Sequence, residues 1–219
     1  MSPVAGPDRR SRLRSATDDS HRRLDEIVDQ AGFFDDRPSY ASYLEATLRA
    51  RQPLELTLTD SGAEALFEAW PDRRIVAALR EDIADVTGTV PAADPIVIVS
   101  TMSPAQAIGS LYVLEGSALG GRQLALRAHA IGMSPAFGAR HFAQQTATPK
   151  SWSTFLRVLE ALPLDTAEED ACIAAAVAVF ASFERAYSAV TMPPLRALRS
   201  LPSTSPRPLP TPSRPSPAS

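Results

Sequence analysis

The 219-residue chain has one cysteine, Cys172, and three histidines, His21, His129 and His141. A lone cysteine closes no internal disulfide, and the chain reads as a protein of a reducing compartment. No histidine belongs to a Glu-x-x-His pair, which weakens a carboxylate-bridged di-iron bundle, and no Cys/His cluster has zinc-site spacing. A Gly-x-Ser-x-Gly elbow, a P-loop and a dinucleotide fingerprint after a strand are all missing, so no flavin or nicotinamide site is expected. The N-terminal MSPVAGPDRRSR lacks the apolar core of a signal peptide, and no charge-free apolar run reaches the roughly 18 residues of a membrane span. A cytoplasmic protein with no membrane partner is the expectation. A net charge of −3 gives no reason to expect nucleic acid, although Arg9–Arg14 is locally basic.

Strand signals are also scarce. Pro95–Ser100 (PIVIVS) has strand propensity but nothing to pair with, so it is expected to be an extended or short helical connector. What the chain does have is helical periodicity. Leu13, Thr17, His21, Leu24 and Val28 recur on one face of a helix from about Ser11 to Ala31, which Gly32 ends. Pro38 opens a second helix that Pro53 is expected to kink or break, before a turn at Asp60-Ser61-Gly62. A helix over Asp72–Val86 and a loop over Gly88–Pro95 follow. Ser103-Pro104-Ala105-Gln106 combines a cap, a proline at the first position and the glutamine of a capping box, and predicts a long helix to about Ala130. A short helix near Ala139–Gln145, one over Lys150–Leu162 capped by Thr148-Pro149, and a long one from Thr166 to Pro193 complete the pattern. The expected architecture is a flexible N-terminus (1–9), one all-α domain (10–192) and a proline-rich disordered tail (193–219). Polyproline docking by that tail stays open.

The stretch Leu111–Arg122, LYVLEGSALGGR, places Gly116, Gly120 and Gly121 inside the long helix. Interior glycine costs a helix roughly 1 kcal/mol relative to alanine, so three in two turns need a reason. Gly116 and Gly120 share a face, which admits a second helix, a bend or a ligand close to the backbone. Ser117 adds a hydroxyl that serves a water, a ligand or its own i−4 carbonyl. His21 sits on the apolar stripe of the first helix, either as a neutral core histidine or as an axial iron ligand. Arg14, two turns earlier on that face, is either a solvated charge or the partner of an anionic ligand edge. Cys172 reads as a small core residue.

Taken together, these residues resemble a known family. Leu13-Arg14-Ser15-Ala16-Thr17, then His21 and Leu24-Asp25, is similar to the proximal-helix signature of haem oxygenases. Tyr112-Val-Leu-Glu-Gly116-Ser-Ala-Leu-Gly120-Gly121 is similar to their distal helix, closest to the bacterial biliverdin-forming branch often associated with bacteriophytochromes. Tyr40-x-x-Tyr43-Leu44 and the segment around Trp152 extend the likeness to about residues 12–190.

The resemblance implies a single-domain helical bundle with haem b, cofactor and substrate at once, between the two helices. It implies His21 as the iron ligand, Gly116, Gly120 and Gly121 as the close approach to the haem face, and Arg14 and Arg157 near the propionates. Thr17 and Tyr112 are implied in the pocket wall. Ser117 stands where better-studied branches have an aspartate that organises distal water. The implied reaction cleaves haem with O2 and external electrons to biliverdin, CO and ferrous iron. A ferredoxin or reductase would supply the electrons, docking on Arg9, Arg10, Arg12 and Arg14. A non-catalytic haem sensor or carrier on the same fold, and a helical interaction module, are the alternatives.

Overall fold

In a computed structural model of the chain, the described residues are 8–92, 101–148 and 150–191. The loose N-terminal segment before Asp8, the connector from Pro95 to Ser100, Pro149 of the expected cap and the proline-rich tail lie outside them.

The described residues form nine helices and no strand: α1 (Arg9–Gln30), α2 (Arg37–Asp60), α3 (Ala63–Leu66), α4 (Trp70–Arg73), α5 (Val76–Thr87), α6 (Pro104–Ala130), α7 (Arg140–Thr146), α8 (Ser151–Ala161) and α9 (Thr166–Thr191). The all-α class is therefore as the sequence predicts. Local chemistry sets most of the ends. Asp8 accepts from the Ser11 backbone at 2.7 Å, and Gly32 follows α1 with φ +63°. Asp36 does the same for α2 through Ser39 at 2.8 Å. Both halves of the Ser103/Gln106 capping box form, at 2.9 and 3.3 Å.

Three boundaries differ from the sequence reading. Pro53 does not break α2, because it lies on the exposed side while Arg51, Gln52, Glu55 and Leu58 around it are buried. The single helix expected over Asp72–Val86 is two, α4 and α5. The cause is remote in sequence: the Glu55 carboxylate of α2 accepts from the backbone of Ile75 at 2.8 Å and Val76 at 3.3 Å, and so caps α5. The turn after Asp60 leads directly into α3, which periodicity does not show.

The long helix α9 packs against α1, α2 and α6. It is the one helix among the described residues long and apolar enough to cross a membrane. At its crossing with α6, Gly109 meets the backbone of Cys172 so closely that no β-carbon fits. Burial pushes the Cys172 thiol up to about 11, as suits a core residue.

Two apolar clusters result. One gathers Tyr40, Tyr43, Leu44, Phe33 and Leu79, and the other Leu13, Leu58, Trp70, Leu111, Phe155 and Ala176. Each large side chain buried this way contributes about 1.5–3 kcal/mol. Leu24 and Phe183 pack against both clusters. At the start of α1, Arg9 is buried, donates to the carbonyls of Leu159 and Leu162, and pairs with Glu169 at 2.7 Å; Arg12 pairs with the same carboxylate. These bonds fasten α1 to α8 and α9.

Candidate functional site

A cavity of about 730 Å3 is lined by α1 and α6, and Leu24 and Phe183, the residues shared by both clusters, also line it. From α1 come Arg10, Arg14, Thr17, His21, Leu24 and Val28, one helical face from end to end. From α6 come Tyr112, Gly116, Ser117, Gly120 and Gly121. The two motifs singled out in the sequence therefore share one cavity.

His21 is not a core histidine. Its side chain is 65% exposed, beside the Phe180 ring at 5.8 Å, and Asp25 lies 3.0 Å from its Nδ1. A carboxylate at Nδ1 fixes ring orientation and tautomer and leaves Nε2 as the nitrogen available to a metal. Thr17 is buried, with its hydroxyl donating to the Leu13 carbonyl at 2.8 Å. Tyr112 stacks obliquely on Trp152 at 5.6 Å; burial pushes its hydroxyl up, against the lowering influence of Arg10 and Arg14.

The glycines of α6 separate by function. Gly109, outside the stretch, serves helix packing. A β-carbon on Gly116 would rest on the Trp152 ring at 3.7 Å, an ordinary contact. On Gly121 it would stand 3.1 Å from Gln145 Oε1, so this glycine makes room for Gln145. On Gly120 it would meet no described atom within 4 Å, although Gly120 lines the cavity. Protein packing does not ask for glycine there, and the space it leaves belongs to the cavity.

Cations at the cavity differ in their commitments. Arg127 pairs with Asp29 at 2.8 Å, and Arg51 with Glu55 at 2.6 Å. Arg10 and Arg14 make no ion pair among the described residues. Arg157, expected beside Arg14, is exposed on α8 with its guanidinium donating to Thr154 at 3.3 Å, and does not line the cavity. The reason is phase: α8 turns Phe155 and Leu159 into the core, and position 157 falls on the opposite side. Arg10, one turn before Arg14, is the second cation at the cavity outside an ion pair among the described residues, and its i, i+4 spacing from Arg14 is the signal for it.

Behind α6 lies a polar network that periodicity did not reveal. Ser117 donates to the Leu114 carbonyl at 2.7 Å and accepts from Gln145 Nε2 at 2.7 Å, which leaves its oxygen one acceptor position. Arg73 donates to the Gln145 carbonyl and to Glu115, both at 2.8 Å, and Ser151 donates to the other Glu115 oxygen at 2.7 Å. One turn before Gln145, His141 also lines the cavity, with Asp82 at 2.7 Å from its Nδ1. Asp82 accepts the α7 backbone N–H groups of Arg140 and His141 as well, at 2.9 and 3.0 Å. Burial opposes the Asp82 charge, but these bonds outweigh it and hold the carboxyl below the usual range. Burial likewise pushes His141 down against the pull of Asp82, so the ring is neutral with its proton on Nδ1.

The site can therefore accept a flat, partly anionic ligand: one imidazole on the α1 side, a bare backbone on the α6 side, and two free cations at an edge. The Heme oxygenase family model matches residues 9–189. Heme oxygenase PigA of Pseudomonas aeruginosa is 32% identical over 162 residues, which is 74% of this chain and 82% of that protein. Heme oxygenase of Xanthomonas campestris pv. campestris is 35% identical over 160 residues, 72% of this chain and 94% of its own. Among solved structures, the NO- and CO-bound heme oxygenase of Neisseria meningitidis shares the fold with a TM-score of 0.75 at 22% identity, covering 85% of this chain and 93% of that one. The heme oxygenase of Leptospira interrogans follows at 0.67 and 19%, covering 84% and 100%.

Proposed function

The chain belongs to the haem oxygenase family and is an enzyme of that kind, and on this footing we propose that it cleaves haem b to biliverdin, CO and ferrous iron. The observation that carries the reading is the pairing, across one cavity, of an Asp25-oriented imidazole at His21 with an α6 surface open at Gly120.

In this reading His21 Nε2 holds the iron and Asp25 keeps the ring turned toward it. Arg10 and Arg14 receive the propionates. Leu24, Tyr112 and Phe183 cover the apolar ring, while Thr17 closes the wall behind His21. Gly116 and Gly120 let the α6 backbone approach the opposite ring face, and Gly121 admits Gln145, whose amide fixes Ser117. Bound there, haem would supply the iron chemistry with O2 and would itself be the substrate. The protein's own part is orientation, a dry apolar wall, and hydrogen-bonding groups on the α6 side.

Electrons come from outside, from a ferredoxin or a reductase. Arg9 and Arg12 are committed to Glu169, so a docking role of the basic N-terminal cluster falls to the edge that Arg10 and Arg14 share with the propionates. Cytoplasmic residence fits this supply of reductant.

Hemin titration tests the reading. The native protein should give a Soret band that His21→Ala lacks, and ascorbate or ferredoxin with O2 should convert the complex to a biliverdin spectrum. Equal hemin binding by His21→Ala would remove His21 from the site. A complex that stays intact with reductant and O2 would overturn the activity.

A further inference from the structure

Tyr43, Thr47, Arg51, His141 and Tyr187, drawn from α2, α7 and α9, also line the cavity. Thr47 and Tyr187 lie 3.1 Å apart at their oxygens. His141 stands out within this group. It is 1% exposed, Asp82 occupies its Nδ1, and its Nε2 has no hydrogen-bond partner among the described residues. Buried ring nitrogens are normally satisfied, so one left without a partner on a cavity-lining residue is a place where a bound water would supply the missing bond.

The Asp82 contact gives His141 more than a place in the wall. Asp82 fixes the tautomer, so Nε2 presents a lone pair and not a proton. It also stabilises the imidazolium whenever Nε2 picks up a proton. An imidazole oriented by a buried carboxylate is suited to moving protons at neutral pH. Ser117, by contrast, already spends its hydroxyl proton on Leu114 and one lone pair on Gln145.

We propose that His141, held by Asp82, is a proton-relay residue of this cavity: its Nε2 binds cavity water and carries protons from solvent toward the face of α6 that bears Gly116 and Gly120. A proton arriving along water binds Nε2, the charge is shared with Asp82, and the proton leaves from the same nitrogen to the next water. The ring ends neutral, and no electrons move. The inference rests on the cavity being the haem site. The groups facing the ring are Asp82 from α5 and Tyr43 and Arg51 from α2; Arg140 and Asp85 flank the carboxylate, and Tyr187 of α9 lies behind Tyr43. Burial, and Arg51 with it, opposes charge on the ring, and Asp82 favours it.

The test uses His141→Asn, whose amide retains a donor for Asp82 but has nothing at the Nε2 position, with His141→Gln as the comparison that reaches the Nε2 position without basicity. Circular dichroism and hemin titration establish that each variant folds and binds hemin. Two readouts then follow on the hemin complexes: the rate of biliverdin formation against pH, and the pH of the acid–alkaline colour change of the ferric complex. A relay role predicts a rate reduced on the order of 10–100-fold in both variants, partly restored by added imidazole. It also predicts a colour change displaced by about half a pH unit or more. Native-like rates in His141→Asn would overturn the relay while leaving the haem oxygenase reading intact. A slower variant with an unmoved colour change, no pH-dependent difference and no imidazole rescue marks a purely structural role and overturns it too. A native protein that forms no biliverdin refutes the underlying reading instead.

Discussion

Gly109 on α6 lies against the backbone carbonyl of Cys172 on α9, and a methyl group at position 109 would collide with it. Backbone cannot yield as a flexible side chain does. Gly109→Ala should therefore lower stability by about 1–3 kcal/mol or more, as overpacked sites do. Gly120 is the contrasting case, because nothing described lies within 4 Å of its would-be β-carbon. Gly120→Ala should unfold no earlier than the native protein, since alanine favours helix by up to about 1 kcal/mol. Gly120→Leu, which fills cavity space, should instead weaken hemin uptake. Urea midpoints and hemin titrations on the three variants check this division. A Gly109→Ala protein as stable as native would refute it.

The buried Arg73–Glu115 pair offers a second prediction. Both side chains are almost fully enclosed, 2.8 Å apart, and Ser151 holds the other carboxylate oxygen. Removing one partner strands the other charge in the core. Glu115→Leu should cost on the order of 3–5 kcal/mol, whereas Arg73→Met combined with Glu115→Leu should cost less than the single change. Denaturant unfolding of the single and double variants measures the coupling. A double variant less stable than Glu115→Leu would contradict the assignment of the loss to an unpaired charge.

What could be seen in the sequence follows from the range of each signal. Helix existence, the all-α class and the pairing of the His21 and glycine motifs rest on local periodicity, caps and order along the chain. All of these are visible in single stretches. The capping box at Ser103/Gln106 forms because its parts lie three residues apart. Features set by remote partners were not visible. Glu55 caps α5 from 20 residues away, and Asp82 reaches α7 across 59. Gly109 carries no local sign of its role, because Cys172 is distant in sequence. Arg157 lies away from the cavity because the phase of α8 is set by Phe155 and Leu159, which a resemblance at a single position does not carry.

The burial of His141 against Asp82 makes stability depend on pH with a definite sign. His141 is pushed below its ordinary value of 6.5 by burial, so the folded state resists the proton that the unfolded chain accepts. The unfolded state then binds more protons below about pH 6.5, and stability falls as the pH drops through that range. The contribution is complete above 6.5 and declines by at most about 1.4 kcal/mol per pH unit below it, until the folded-state value is reached. Asp82 acts at lower pH: its carboxyl is held below its ordinary 3.8, so its contribution is present above that value and is lost as the pH falls through the folded one. Urea unfolding between pH 7.5 and about 5 should show the histidine slope in the native protein and a flatter line in His141→Asn. Parallel lines would mean that His141 carries no such penalty.

Gln145 connects two residues that were read separately in the sequence. Its Oε1 would stand 3.1 Å from a β-carbon at Gly121, and its Nε2 donates to Ser117 at 2.7 Å. An alanine at 121 forces the amide to shift by a few tenths of an ångström, which lengthens the bond to Ser117. An alanine at 117 removes the acceptor outright and leaves a largely buried amide unpaired, at a cost of about 1–3 kcal/mol. Once the bond is gone, moving Gln145 costs less. Gly121→Ala and Ser117→Ala should therefore destabilise together by less than the sum of their separate effects. The expected coupling is on the order of 0.5–1 kcal/mol. A double-mutant cycle in urea, repeated in a Gln145→Ala background, decides the matter. The coupling should vanish when Gln145 is absent, because the two positions then have no shared side chain through which to act. Coupling that persists in that background would place the interaction in the α6 backbone and not in Gln145.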